Sequence, residues 1–430
     1  MNDSAEHLNA EIAAHSPAVL DLLSARGRAL YWPRGIPFQG AEARAKAHRY
    51  NATIGEAMEG GAAMILPSVA RALAGVPPEA LRYAYAAGKL ELRQAWRAKL
   101  LRDNPSLRSR SFGLPMVTSS ISHGLSVVGQ LFVDPGDRVL LTAPIWDGYR
   151  LTYDAVLGAE IATFPGFANG RFDVEAFRSA LREGPAKQIV ILNFPHNPTG
   201  YMPRLDELEA IRDALVSSAA SGRRLLVVLD DAYFGLVYDS SAYAESPFGM
   251  LANLPGDILT VKLDGATKEL FVWGLRVGFL TFAPPPVEAP EPLLAALEQK
   301  VLGAIRASVS SSSNLSQTLV LQALQSPTLE AEYRAKYAVL RARAERVREV
   351  VESPQYQTFW EPYPCNAGYF VSVRLLDVDA EALRVHLLDR YGVGVIALDA
   401  QAIRIAFSCL ELEDIEPLFE CVRRGIQDLR

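Results

Sequence analysis

The chain has 430 residues, half of them hydrophobic and 21% charged, with a formal net charge of −6. Such a length leaves room for about two to three domains at ~150 residues each, and the composition supports a large core. There is no basic excess to meet nucleic acid, and no apolar run near the roughly 18 residues that span a bilayer.

The opening segment, MNDSAEHLNAEI, lacks a basic stretch followed by an apolar one, so no secretory signal is expected. Cys365, Cys409 and Cys421 are odd in number and widely spaced, which fits a reduced cytoplasmic protein better than a disulfide framework. The six histidines form no ligand spacing, and no metal is expected.

In chain order, residues 1 to about 50 read as a helical arm with a Pro/Gly break at Trp32-Pro33-Arg34-Gly35. A Gly-rich turn (YNATIGEAMEGGAAMIL) then feeds a short helix whose first turn holds Pro67. From Lys89, the residues Leu92, Ala95, Trp96 and Leu100 share one helical face. From Met116 onward, apolar strand candidates alternate with helices: Arg138 to Ala143, Glu160 to Phe164, Gln188 to Phe194 and Leu225 to Leu229. Asp173 reads as a helix N-cap, and a helix with Asp206 and Glu207 in its first turn follows the third of these strands. Strands that apolar, separated by helices, predict a parallel sheet covered on both faces.

After the Pro-rich stretch from Ala283 to Pro292 the sequence is mostly helical to about Glu352. It then offers strands at Tyr369 to Leu375, Gly394 to Leu398 and Ala402 to Ser408. The expected class is α/β: a large domain with a mostly parallel sheet covered by helices on both faces, plus a smaller α+β domain. Residues 1–70 are assigned to the arm and part of the small domain, 71–310 to the large domain and 311–430 to the small one.

Ligands in such sheets bind beyond the C-terminal ends of the strands, and the loops there carry unusual residues. Thr118-Ser119-Ser120-Ile121-Ser122 opens a helix, which suits a phosphate but serves equally as a cap. In Pro144-Ile145-Trp146-Asp147-Gly148-Tyr149, the tryptophan can stack on a planar ring or fill core. In Phe194-Pro195-His196-Asn197-Pro198-Thr199-Gly200, the Asn197 amide either meets a ligand or closes the loop. Asp230, ending an apolar strand before Asp231-Ala232-Tyr233, needs a partner: a pyridinium N–H, a helix cap or an ion pair. Last comes KLDGATKELFVWGLRVG, which sets Lys268 between two strand-like runs with Arg276 eight positions on.

The order SSIS, PIWDGY, NFPHNPTG, DDAY, K-x7-R and a late RIAF resembles the fold-type-I pyridoxal-phosphate aminotransferases, class I/II, the aspartate/aromatic branch. The similarity runs from about Tyr50 to the C-terminus. It implies that Lys268 is the Schiff-base lysine and proton carrier, and that Asp230 partners the pyridinium nitrogen. It implies that Asn197 and Tyr233 contact the ring 3-oxygen and that Trp146 stacks over the ring. Ser120, Ile121, Ser122, Thr267 and Arg276 then form the phosphate corner, and Tyr83, with Tyr85 as competitor, reaches the phosphate of a neighbouring subunit. Arg404 would grip the substrate carboxylate, Ile54 and Gly55 would close over the substrate, and Arg306 would read a distal carboxylate or remain a plain helix-end arginine.

The sequence departs from the family at Gly265, where serine is usual, with Thr267 or Asp264 as substitutes, and at Ser120, where glycine is common. His123 reads as a packed helix residue, and Ser308 to Ser313 as a loop. The resemblance implies pyridoxal 5′-phosphate, amino acid and 2-oxo acid substrates, a homodimer with shared sites, and ping-pong transamination. A lyase or decarboxylase on the same fold stays open as the alternative. An aminotransferase-like regulator is disfavoured by the short, weakly basic arm.

Overall fold

The structure, a computed structural model, describes residues 3–31 and 35–430, so Trp32, Pro33 and Arg34 of the expected break lie outside the described residues. The arm is helical at Asp3–His15, Pro17–Leu22, Ala25–Ala29 and Ile36–Lys46.

The core is a seven-stranded sheet. Its strands in chain order are β1 (Met116–Thr118), β2 (Arg138–Ala143), β3 (Glu160–Pro165), β4 (Lys187–Asn193), β5 (Arg224–Asp230), β6 (Ile258–Gly265) and β7 (Gly278–Ala283). Their order across the sheet is β1-β7-β6-β5-β4-β2-β3. Neighbours from β6 to β3 run parallel, and β7 lies antiparallel to both β6 and β1. In β4 and β5 every residue after the first is buried. Helices on both faces leave no solvent side, so these strands read as continuous apolar runs rather than alternating ones.

The parallel register places the functional positions side by side. Asn193 faces Asp230, and Asp230 faces Leu263 on β6. β6 and β7 close at the pair Gly265 and Gly278, so the loop bearing Lys268 and Arg276 leaves the same edge. Gly278 is required there: a Cβ would stand 2.5 Å from the Ser120 carbonyl carbon and 2.8 Å from the Ile121 nitrogen.

A second, four-stranded antiparallel sheet follows: β8 (Trp360–Pro362), β9 (Phe370–Leu375), β10 (Ile396–Ala397) and β11 (Ala402–Ala406), ordered β8-β9-β11-β10. The helices Leu329–Val351 and Ile415–Leu429 each bury a stripe of apolar side chains beside it. Tyr50–Asn51 pairs in parallel with Val393–Gly394, and the Ala406 amide donates to the Ala52 carbonyl at 2.8 Å. The segment after the arm is thereby joined to the C-terminal sheet. Among the described residues no helix is long and apolar enough to cross a membrane.

The helical segment expected between the first two apolar strands, β2 and β3, forms as a π-helical turn at Arg150–Val156. The other expected strands of the main sheet fall within one or two residues of the observed ones.

Candidate active site

Asp230 ends β5 and is 5% exposed. Tyr149 donates its hydroxyl to Asp230 Oδ2 at 2.6 Å, whereas Oδ1 is buried with no partner. Burial raises the carboxyl's pKa, opposed by the Tyr149 hydrogen bond and the Lys268 charge. The adjoining strand end is pinned by Asn193, which donates from Nδ2 to the Asp230 carbonyl at 2.8 Å and accepts the Asn197 amide at 2.7 Å. The Phe194–Pro195 peptide in that loop is cis, as is Ala143–Pro144 before Trp146.

Lys268 lies in a single helical turn, Ala266–Glu269, with its ammonium 5.1 Å from the centre of the Tyr233 ring. Burial lowers its pKa to about 8, with Asp230 raising it and Arg276 lowering it. About one such amine in ten is uncharged at pH 7, against well under one in a thousand for an ordinary lysine. Tyr233 is buried against Tyr369 and Phe370, and burial drives its hydroxyl upward, so it stays a neutral donor.

Arg404, on β11, is 2% exposed. It donates to Asn197 Oδ1 at 3.2 Å and to the Thr53 carbonyl at 2.9 Å, and its guanidinium lies 4.2 Å from the centre of the Phe370 ring. Its Nε is buried without a partner, and burial holds its pKa down to about 10. A buried guanidinium with a donor to spare is a receptor for an anion. The Ile54-Gly55 segment comes over the same space: a Cβ on Gly55 would lie 3.5 Å from Phe370 Cζ and 3.8 Å from Tyr233 Oη.

At the phosphate corner, Ser120 adopts φ 104° and caps the helix Ile121–Phe132, its Oγ accepting the His123 amide at 3.4 Å. The left-handed backbone at Ser120 aims the first amides of that helix outward, where they have no intrahelical acceptor. Ile121 is buried and Ser122 exposed at this end. Thr267 is buried, its carbonyl held by the Val272 amide at 3.1 Å. Arg276 is exposed, with φ 54° and one guanidinium N–H on the Trp273 carbonyl at 3.1 Å.

The glycine at 265 has a steric cause, since a Cβ there would meet the Val277 carbonyl oxygen at 2.7 Å. Asp264 does not take over that corner: it points into a buried ionic cluster, bonded to Trp96 Nε1 at 3.0 Å. His123 is more than packing. Its Nδ1 accepts the Ser119 amide at 3.1 Å and its Nε2 meets Ser308 Oγ at 3.0 Å, which ties the cap to the serine run. Within that run Ser308 closes one helix and Ser313 caps the next.

Trp146 is partly buried, edge-on to Tyr149 at 5.3 Å, and its ring lies over Gly148. Two expected site residues stand apart from the others within one chain. Tyr83 is 98% exposed, and Arg306 is exposed and hydrogen-bonded to Ser310. Neither Tyr149 nor Asn193 is assigned a role from sequence; Asn193 is a polar group at the end of β4, and Tyr149 lies in the loop beyond β2, just before the π-helical turn.

The model of the family described as aminotransferase class I and II matches residues 52–422. The chain belongs to this family. Among curated relatives, it is 29% identical over 289 residues to arginine–pyruvate transaminase AruH of Pseudomonas aeruginosa, covering 66% of each chain. It is 31% identical over 202 residues to the aspartate/prephenate aminotransferase of Thermus thermophilus, covering 46% of this chain and 48% of that one. These matches therefore span about half to two thirds of the relatives' length.

The fold is shared more fully. An aminotransferase from Anaerococcus prevotii superposes with a TM-score of 0.82 at 20% identity, over 95% of this chain and 99% of that one. The cytoplasmic aspartate aminotransferase of Saccharomyces cerevisiae gives 0.77 at 17% identity, over 96% and 100%.

Proposed function

We propose that the chain is a pyridoxal 5′-phosphate-dependent aminotransferase that moves an amino group from an L-amino acid to a 2-oxo acid such as 2-oxoglutarate. The observation that carries this reading is the buried, unpartnered Oδ1 of Asp230 in the same site as a lysine whose pKa is lowered to about 8. A carboxylate so placed calls for a cationic N–H donor, and a pyridinium supplies one.

When bound, that cofactor supplies an electron sink for charge developing at the substrate Cα. The protein's own groups do the rest. Asp230 would accept the ring N–H on Oδ1 while Tyr149 occupies Oδ2. Lys268 would offer a neutral amine to the aldehyde and carry a proton to and from Cα. Asn197 and Tyr233 would meet the ring 3-oxygen, and Trp146 would stack on the ring. The amides at Ser120 to Ser122, with Thr267 and Arg276, would hold the phosphate. Arg404 would take the α-carboxylate, with Ile54 and Gly55 excluding water above it.

Tyr83 and Arg306 fit this scheme as residues lent across a two-fold interface, which implies a homodimer. Arg306 would then read a distal carboxylate. The test is a panel of amino donors with 2-oxoglutarate, followed through the cofactor's visible absorbance and the keto acid formed. Amino exchange with at least one donor is expected; colour without exchange for any donor would overturn the assignment.

A further inference from the structure

The residues that follow the two central groups in sequence, Asp231 after Asp230 and Glu269 after Lys268, both enter one buried cluster of charges. Lys262 and Asp264 occupy alternate positions of β6 at 0% exposure. The Lys262 ammonium contacts Asp231 and lies 3.3 Å from Asp264 Oδ2. Ser246 donates to Asp231 Oδ2 at 2.5 Å, and Trp96 to Asp264. In the helix Leu90–Asp103, Lys99 binds Glu269 Oε2 and, at 2.9 Å, Asp103. The Phe234 ring lies 5.5 Å from the Lys262 ammonium and 5.2 Å from that of Lys99.

Removing this many charges from water is costly, and apolar packing would serve stability as well or better. The cluster instead links two turns that must stand in a fixed relation, those after β5 and β6. The turn bearing Lys268 is only one helical turn long. Its last residue, Glu269, is 3% exposed and anchored to a helix more than 160 positions away in sequence.

The geometry points to Glu269 and Lys99 as positioning residues: their buried ion pair clamps the turn from behind and fixes where the Lys268 amine stands relative to Asp230. This inference rests on Lys268 and Asp230 being the reactive pair.

The clamp also titrates. Glu269 is faced by Lys99 from the helix Leu90–Asp103, itself also paired with Asp103, by Lys262 and Asp264 from β6, and by Tyr333 from the helix Leu329–Val351. Burial raises its pKa to about 7, with Lys99 opposing and Asp264 adding to the rise. Its Oε1 has no donor, which favours the protonated form further. The ionic clamp therefore tightens as pH rises through the raised Glu269 pKa and slackens below it.

The test compares Glu269→Gln, which keeps the shape and removes the charge, with wild type at pH 6 and pH 8. At pH 8 the variant is expected to lose about 10-fold in kcat with little change in the KM of the amino donor, because Arg404 is untouched. The affinity of its apoprotein for pyridoxal phosphate should fall by about the same factor. At pH 6 both differences should shrink towards zero, a convergence that a merely structural role would not give. Lys99→Met should reproduce the pH 8 losses, and Lys99→Arg should restore most of them. Equal kcat and cofactor affinity in Glu269→Gln and wild type at pH 8 would overturn the inference, as would an equal deficit at both pH values. Lys268→Ala is the control for the underlying reading: if it keeps the cofactor's visible band, the site assignment fails. If that band is lost and Glu269→Gln still behaves as wild type, the clamp alone fails.

Discussion

Tyr149 lies just before the π-helical turn and Asp230 ends β5, yet the phenol reaches one carboxylate oxygen at 2.6 Å and leaves the other buried without a partner. The bond opposes the rise in the Asp230 pKa that burial causes. Tyr149→Phe removes a hydrogen bond to a charged group, worth about 1.5–3 kcal/mol. The expected result is a roughly 10- to 100-fold weaker affinity for pyridoxal phosphate, measured by titrating the apoprotein.

Arg404 holds two partners and keeps Nε in reserve. A lysine at this position cannot present two parallel donors. Arg404→Lys is expected to lower kcat/KM for amino acid donors by about 100-fold, on the basis of roughly 3 kcal/mol for a buried bidentate contact. A primary amine lacking the carboxylate should react equally slowly with both proteins. Steady-state kinetics on the paired donors decides it.

Lys268 carries a pH signature that needs no cofactor. Its folded-state pKa of about 8 lies below the ordinary 10.5. Between those values the unfolded chain binds more protons, so this residue's contribution to stability rises with pH across the window from 8 to 10.5. Below pH 8 the charged amine penalises the fold. The apoprotein of Lys268→Met is therefore expected to be more stable than wild type at pH 7, by about 1–3 kcal/mol. Thermal unfolding from pH 7 to 11 should show that advantage vanish at the alkaline end.

Gly278 is where β7 meets the start of the phosphate-corner helix. Gly278→Ala puts a methyl 2.5 Å from the Ser120 carbonyl carbon, and backbone on both sides must move. A loss of about 1–3 kcal/mol in denaturant unfolding is expected, together with weaker binding of pyridoxal phosphate.

Much of the central sheet was legible because β2, β4 and β5 are buried on both faces and so read as apolar runs. The candidate site was legible through the order of its motifs, and the fold brings some of these residues into contact: Arg404 donates to Asn197, and Lys268 lies beside the Tyr233 ring. Other features had no local signal. Lys262 and Asp264 look like the polar face of a half-exposed strand, and only β5 and the helix Leu90–Asp103 turn that face into interior. Lys99 lies on a helix where a lysine ordinarily meets solvent. Strand β8 is three residues long with only its first residue buried, too short to show a period. Tyr83 and Arg306 are exposed in the single chain, and the roles proposed for them need a second copy.

The pairing of Tyr50–Asn51 with Val393–Gly394 has a consequence for biosynthesis. This two-stranded sheet joins residues made early to residues made long after the central sheet is complete. A nascent chain can finish its seven-stranded core before Val393 and Gly394 are made, but this pairing closes only after they have emerged. Losing either partner strand would open the same junction.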